Sequence, residues 1–121
     1  MQYAVPRRGL PDAASFRRWS LGDAVTIRIV GESEGRRLNR AFRRKRSATN
    51  VLSFDSGDIV LCHPVVAREA RAQRKSLAAH YAHLVVHGVL HLRGYAHGKR
   101  METREIRLLR GFGFADPYTI E

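Results

Sequence analysis

Apolar and polar positions along the chain follow two rhythms. Residues Ala24 to Val30 (AVTIRIV) alternate β-branched and polar side chains, the two-residue period of a half-buried strand. Thr49 to Phe54 (TNVLSF) and Asp58 to Cys62 (DIVLC) predict two more strands, and Asp55-Ser56-Gly57 between them predicts a tight turn. Gln2 to Val5 is a short fourth candidate. Between the strands the period lengthens to that of a helix. Pro11 and Asp12 open a short one carrying Phe16 and Trp19, which stops at Leu21-Gly22-Asp23. Ser33 is placed to cap a helix running to about Arg44, with Leu38 and Phe42 at i, i+4 on its apolar side. His63-Pro64 starts a helix through Ala70, Leu77 to Leu92 predicts a long apolar helix ended by Gly94, and a last amphipathic helix spans Met101 to about Leu109 before Gly111 and Gly113. Alternating strands and helices imply an α/β or α+β fold, with a small mixed sheet of about four strands packed with helices.

Length narrows this to one domain over residues 1–121, large enough to bury a core without disulfides. No repeat or low-complexity tract interrupts it. No apolar run approaches the ~18 residues of a membrane span, and the residues from Met1 to Pro6 lack a signal-peptide core. The lone cysteine, Cys62, excludes an internal disulfide and a multi-cysteine zinc site, which fits a reducing cytoplasm.

Charge adds a partner class. Lys and Arg number 22 against 11 Asp and Glu, a net +11, so the chain should attract polyanions, nucleic acid first among them. Arg36, Arg37, Arg40, Arg43, Arg44, Lys45 and Arg46 concentrate that charge on the helix before TNVLSF and on its exit. A solvated helix face is the plain reading; a phosphate-tracking, RNA-binding surface is the functional one.

Histidine adds chemistry. Five of six histidines fall between His80 and His97. His87 and His91, four apart, lie one turn from each other on one helix face, and Gly94 lets the chain turn so that His97 reaches the same cation. Three imidazoles leave one tetrahedral position open to water, the arrangement of a catalytic metal rather than a structural one. His80 and His83 read instead as hydrogen-bonded core or boundary residues. The spacing H-x3-H-x2-G-x2-H is also that of the metzincin proteases, which need Glu directly after the first histidine. Gly88 stands there, and the motif holds no carboxylate.

HGVLHLRGYAH resembles the signature of the YbeY family, zinc-dependent single-strand-specific endoribonucleases of ribosomal RNA maturation. FRRKRSATNVLSF and GDIVLCHPVVAREA resemble the family's neighbouring segments, as do Met101-Glu102 to Glu105 and Pro117-Tyr118. The resemblance implies one zinc per chain on His87, His91 and His97. It gives catalytic roles to His87, His91 and Arg43, the last as a phosphate contact. It implies 16S ribosomal RNA 3′-end processing and ribosome quality control, with ribosomal RNA and the small subunit as partners in the cytoplasm. Three departures stand out. Ala96 replaces the family's usual Asp before the third histidine, Arg46 stands where an acid is usual, and the chain is short near Phe54–Gly57 and Leu21-Gly22-Asp23. A catalytically weakened RNA- or ribosome-binding factor is therefore the alternative, with a zinc metalloprotease behind it. The sequence does not reveal a general base.

Overall fold

The structure, a computed structural model, describes residues 1–43 and 49–119, with side chains omitted at 42 and 43. In chain order its elements are β1 (Gln2–Tyr3), α1 (Ala13–Trp19), β2 (Thr26–Val30), α2 (Glu32–Arg43), β3 (Val51–Phe54), β4 (Asp58–Cys62), α3 (His63–Ala72), α4 (Leu77–Leu92) and α5 (Lys99–Gly111). The strands form one mixed sheet in the order β1-β2-β4-β3, with β1 and β4 parallel to β2 and β3 antiparallel to β4. The expected α/β class and four-strand sheet are observed.

Local chemistry sets the boundaries. The Ser76 hydroxyl accepts from the Ala79 N–H at 3.0 Å and starts α4; Asp12 accepts from the Ser15 N–H at 2.8 Å and starts α1. Ser33 is not a cap. Helix α2 begins one residue earlier, and Glu32 and Glu34 occupy its first turn, where carboxylates favour the helix dipole. Strand β2 is shorter than its alternating pattern, starting at Thr26, whose N–H bonds the Gly57 carbonyl at 2.9 Å. Residues 55–57 close the β3–β4 hairpin through a 2.9 Å bond from the Gly57 N–H to the Phe54 carbonyl, and Gly57 takes a φ of 92° that favours glycine.

Both faces of the sheet are covered, which is why β4 is apolar at successive positions. Ile27, Ile29, Ile59 and Leu61 face the main core with Phe16 and Trp19 of α1, Tyr81, Val85 and Val89 of α4, and Met101 and Leu109 of α5. Phe16 anchors it through edge-on contacts with Trp19 (5.3 Å) and Tyr81 (5.5 Å). Val30, Leu52, Val60 and Cys62 face the other way, packed by Leu38 of α2. Helices α2 and α4 thus lie on opposite faces.

Helix α4 rides close on the sheet at Gly88. A methyl there would lie 3.0 Å from Ser53 Oγ and 3.1 Å from Ile59 Cδ1, so those side chains would have to give by a few tenths of an ångström. Gly88→Glu should therefore lower the unfolding free energy by at least about 3 kcal/mol, from overpacking plus a buried carboxylate. Gly88→Ala should cost less, since its helix propensity returns about 1 kcal/mol. Denaturant titration measures both, and a Glu variant as stable as the parent would contradict this packing.

Candidate metal centre

The histidine cluster is built by the end of α4. Gly94 takes a φ of 98°, the Tyr95 N–H reaches back to the Leu90 carbonyl at 3.0 Å, and the Gly94 N–H to the His91 carbonyl at 2.9 Å. This six-to-one plus five-to-two pair is a Schellman cap, which needs glycine at its left-handed position. It reverses the chain so that His97 returns to the last turn of α4. Arg93, in the cap, donates to both Asp23 oxygens (2.7 and 2.8 Å) and to the Leu21 carbonyl, tying the cap to the turn after α1. Those bonds hold the Asp23 carboxyl below its ordinary range.

The three Nε2 atoms converge: His87 to His91 at 3.1 Å and His91 to His97 at 3.0 Å. Their partners fix two of the tautomers. His91 Nδ1 lies 3.0 Å from the Tyr95 carbonyl, which only accepts, so Nδ1 carries the proton. His87 Nδ1 lies 2.9 Å from Glu105 Oε1 and donates likewise. In the neutral rings both Nε2 atoms then present lone pairs to each other, an arrangement a shared cation relieves. Tetrahedral Zn–N bonds would set nitrogens about 3.3 Å apart, close to what is seen. Burial, then the neighbouring His87, push the His91 pKa down, favouring the neutral ligand form. His87, His91 and His97 could hold a metal ion, with His97 on the exposed side.

A second group, His83, His87 and Glu105, is hydrogen-bonded rather than open. Glu105 is fully buried and its Oε2 accepts from His83 Nε2 at 2.7 Å and from the Tyr118 hydroxyl at 2.6 Å. Burial alone would raise its pKa. The bonds from His83, His87 and Tyr118 outweigh it and hold the carboxyl at about 2. Burial and Glu105 together push the Tyr118 phenol up. His80 is buried, with Nε2 2.9 Å from Glu69 Oε1. His80 and His83 are thus hydrogen-bonded residues, as expected from the sequence. Glu105 was missed there: the motif holds no acid, and α5 supplies it from its buried stripe between Met101 and Leu109.

The arginines divide. Arg36, Arg37 and Arg40 are exposed on α2, across the sheet from the histidines, so the structure does not bring them to the cluster. Arg36 also lies 3.8 Å from Glu32. Arg43 ends α2, but its side chain lies outside the described residues, as do Arg44, Lys45 and Arg46 altogether. Ala96 is exposed beside His97. No described helix is long and apolar enough to cross a membrane.

Residues 8–112 match the family model described as Endoribonuclease YbeY. Curated relatives of that name include one from Aromatoleum aromaticum, 53% identical with 95% of this chain and 86% of the relative covered. Another, from Nitrosomonas eutropha, is 48% identical with 100% and 98% covered. That alignment spans 139 positions against 121 residues, so the relative carries internal residues that this chain lacks. A Thermotoga maritima protein of known solution structure shares the fold at a TM-score of 0.62 and 22% identity, with 98% and 97% covered.

The ionised Glu105 makes the fold acid-sensitive. Its folded pKa of about 2 lies below its ordinary 4.5. The stability it contributes is therefore complete above the unfolded value and lost as pH falls through that window, roughly 3 kcal/mol in all. With chelator present to exclude metal, Glu105→Gln should be less stable than the parent at pH 6 and should lose less stability between pH 5 and pH 2. Parallel slopes for the two proteins in denaturant titrations would refute this.

Proposed function

The chain belongs to the YbeY family, and on that premise we propose that it is a zinc-dependent endoribonuclease acting on ribosomal RNA, with His87, His91 and His97 as the metal ligands. The observation that carries this reading is the convergence of the three Nε2 atoms, two of them fixed as lone pairs by Tyr95 and Glu105. A divalent ion bound there supplies a Lewis acid for a phosphodiester oxygen and lowers the pKa of water.

The protein's own part is positioning. Glu105 keeps the proton of His87 on Nδ1, and the Tyr95 carbonyl does the same for His91. Glu105 is a positioning residue and not a general base, because three donors hold it ionised at about 2. The Arg93–Asp23 pair holds the cap that sets His97. Arg43 is the proposed cation for charge developing on the phosphate. The net charge of +11 favours RNA, and the proposed setting is the cytoplasm with the small ribosomal subunit as partner. Proteolysis has little support, since Gly88 stands where that chemistry needs Glu, and a side chain there would press on Ser53 and Ile59. One observation favours a slow nuclease or a non-cutting RNA-binding factor: Ala96 has no side-chain atom to accept from His97, as the family's usual Asp would.

Two tests follow from the ligand set and the basic helix. The purified chain should hold about one zinc, and His91→Ala should remove both the metal and single-stranded RNA cleavage, while lowering thermal stability by the lost binding energy. Full metal content in that variant overturns the ligand set; full metal in the parent without cleavage favours the non-cutting factor. RNA affinity should fall steeply with salt. Replacing Arg36, Arg37 and Arg40 with Gln should flatten that slope by up to about three phosphate contacts. An unchanged slope removes α2 from the RNA surface.

A further inference from the structure

Basic side chains gather on a second helix, and this one adjoins the histidine cluster. Helix α5 carries Lys99, Arg100, Arg104, Arg107 and Arg110. Its four arginines are spaced four, three and three residues apart, which keeps them on one face, while Met101, Glu105 and Leu109 form the buried face. Arg100, Arg107 and Arg110 are exposed, and Arg104 is half-buried. Glu102, the exposed acid of the helix, lies about 200° round from Arg100, away from the stripe.

Fold stability does not account for this charge. Lys99 and Arg100 stand in the first turn of α5, where cations oppose the helix dipole. None of the five basic side chains makes an ion pair among the described residues, whereas Arg28, Arg36, Arg68 and Arg93 each have an acid in reach.

Position adds the partner. His97 stands two residues before Lys99, so the stripe begins at the cluster and runs about 15 Å from Arg100 to Arg110. Unpaired cations beside a divalent ion repel it and one another, and an anion lying across both removes that repulsion. A polyanion does so along the whole stripe. Helix α2 is not placed for this, since it lies across the sheet from the histidines.

We propose that α5 is the track for single-stranded RNA at the metal centre, with the phosphates that flank the cleaved bond lying along Arg100, Arg104, Arg107 and Arg110. The placement of the cleaved bond rests on the endoribonuclease reading; the binding of a single strand along α5 does not.

The test titrates the zinc-loaded, full-length chain with a short, fluorescent, hydrolysis-resistant 2′-O-methyl RNA, followed by anisotropy at several salt concentrations. On single strands each phosphate contact contributes about 0.7 to the slope of log affinity against log salt. Arg100→Gln/Arg107→Gln should therefore flatten the slope by up to about 1.4. Arg100→Lys/Arg107→Lys should restore it, because counterion release follows charge. The control is Arg7→Gln/Arg8→Gln, which removes equal charge just after β1. That strand is at the opposite edge of the sheet from β3, where Ser53 meets α4. The control should leave the slope within about 0.3. An unchanged slope in the α5 Gln variant, an equal fall in the control, or a Lys variant as flat as the Gln variant overturns the proposal. The slopes as described in a chain that cuts no RNA would leave the track standing and remove the nuclease reading. RNA cleavage with the slope unaltered in the α5 Gln variant would do the reverse.

Discussion

The buried carboxylate of Glu105 holds the site together. An isolated ionised acid at 0% exposure would be strongly destabilising, and it is accommodated because His83, His87 and Tyr118 all donate to it. Those three donors come from two turns of α4 and from the segment after α5, so one charge fastens α5 and the C-terminal segment to the histidine helix. The same bond decides which nitrogen of His87 faces the cluster. Fold and site therefore share one interaction, and loss of any donor leaves the carboxylate less satisfied and His87 less fixed. The arrangement also answers where a proton acceptor is not: an acid held at about 2 stays ionised and engaged at neutral pH.

Helix α4 meets two opposed demands within adjacent residues. Position 87 must face outward to the cluster, while position 88, 100° further round, meets Ser53 and Ile59 at the tightest approach of helix to sheet. Glycine satisfies the second demand by having no side chain at all. Its consequence for chemistry is that the histidine helix carries no acid at that point. The carboxylate comes from a separate helix and bonds His87 Nδ1, the ring nitrogen turned away from the converging Nε2 atoms, where it orients the ring.

Much of the fold was legible because its boundary signals are local. Leu77–Leu92 and Asp58–Cys62 match their sequence patterns to the residue, one held by the Ser76 cap and the Gly94 stop, the other by unbroken β-branched and apolar character. Spacing brought His87, His91 and His97 together correctly because helix pitch and one left-handed glycine determine it. Two features lay beyond local pattern. Glu105 was visible as an acid within the apolar stripe of α5, but only packing shows that its partners are histidines. The arginines of α2 could not be placed, since apolar residues on both faces of β4 say that each face is covered without saying by which helix. Topology puts α2 across the sheet from the cluster, so any RNA touching both must pass round an edge of the sheet.

That separation bears on the shortness of the chain. The Nitrosomonas relative aligns end to end over more positions than this chain has residues, yet the histidine cluster is geometrically whole. The groups described as fixing it, from His83 through the Gly94 cap to Glu105 and Tyr118, lie in the stretch from α4 to the segment after α5, apart from Asp23 and the Leu21 carbonyl, which hold Arg93. Residues 55–57 join β3 and β4, which pair in register from Val51 with Leu61 to Phe54 with Asp58, and the sheet offers Ser53 and Ile59 as the bed for Gly88. The convergence of the three Nε2 atoms therefore depends on contacts made within that stretch.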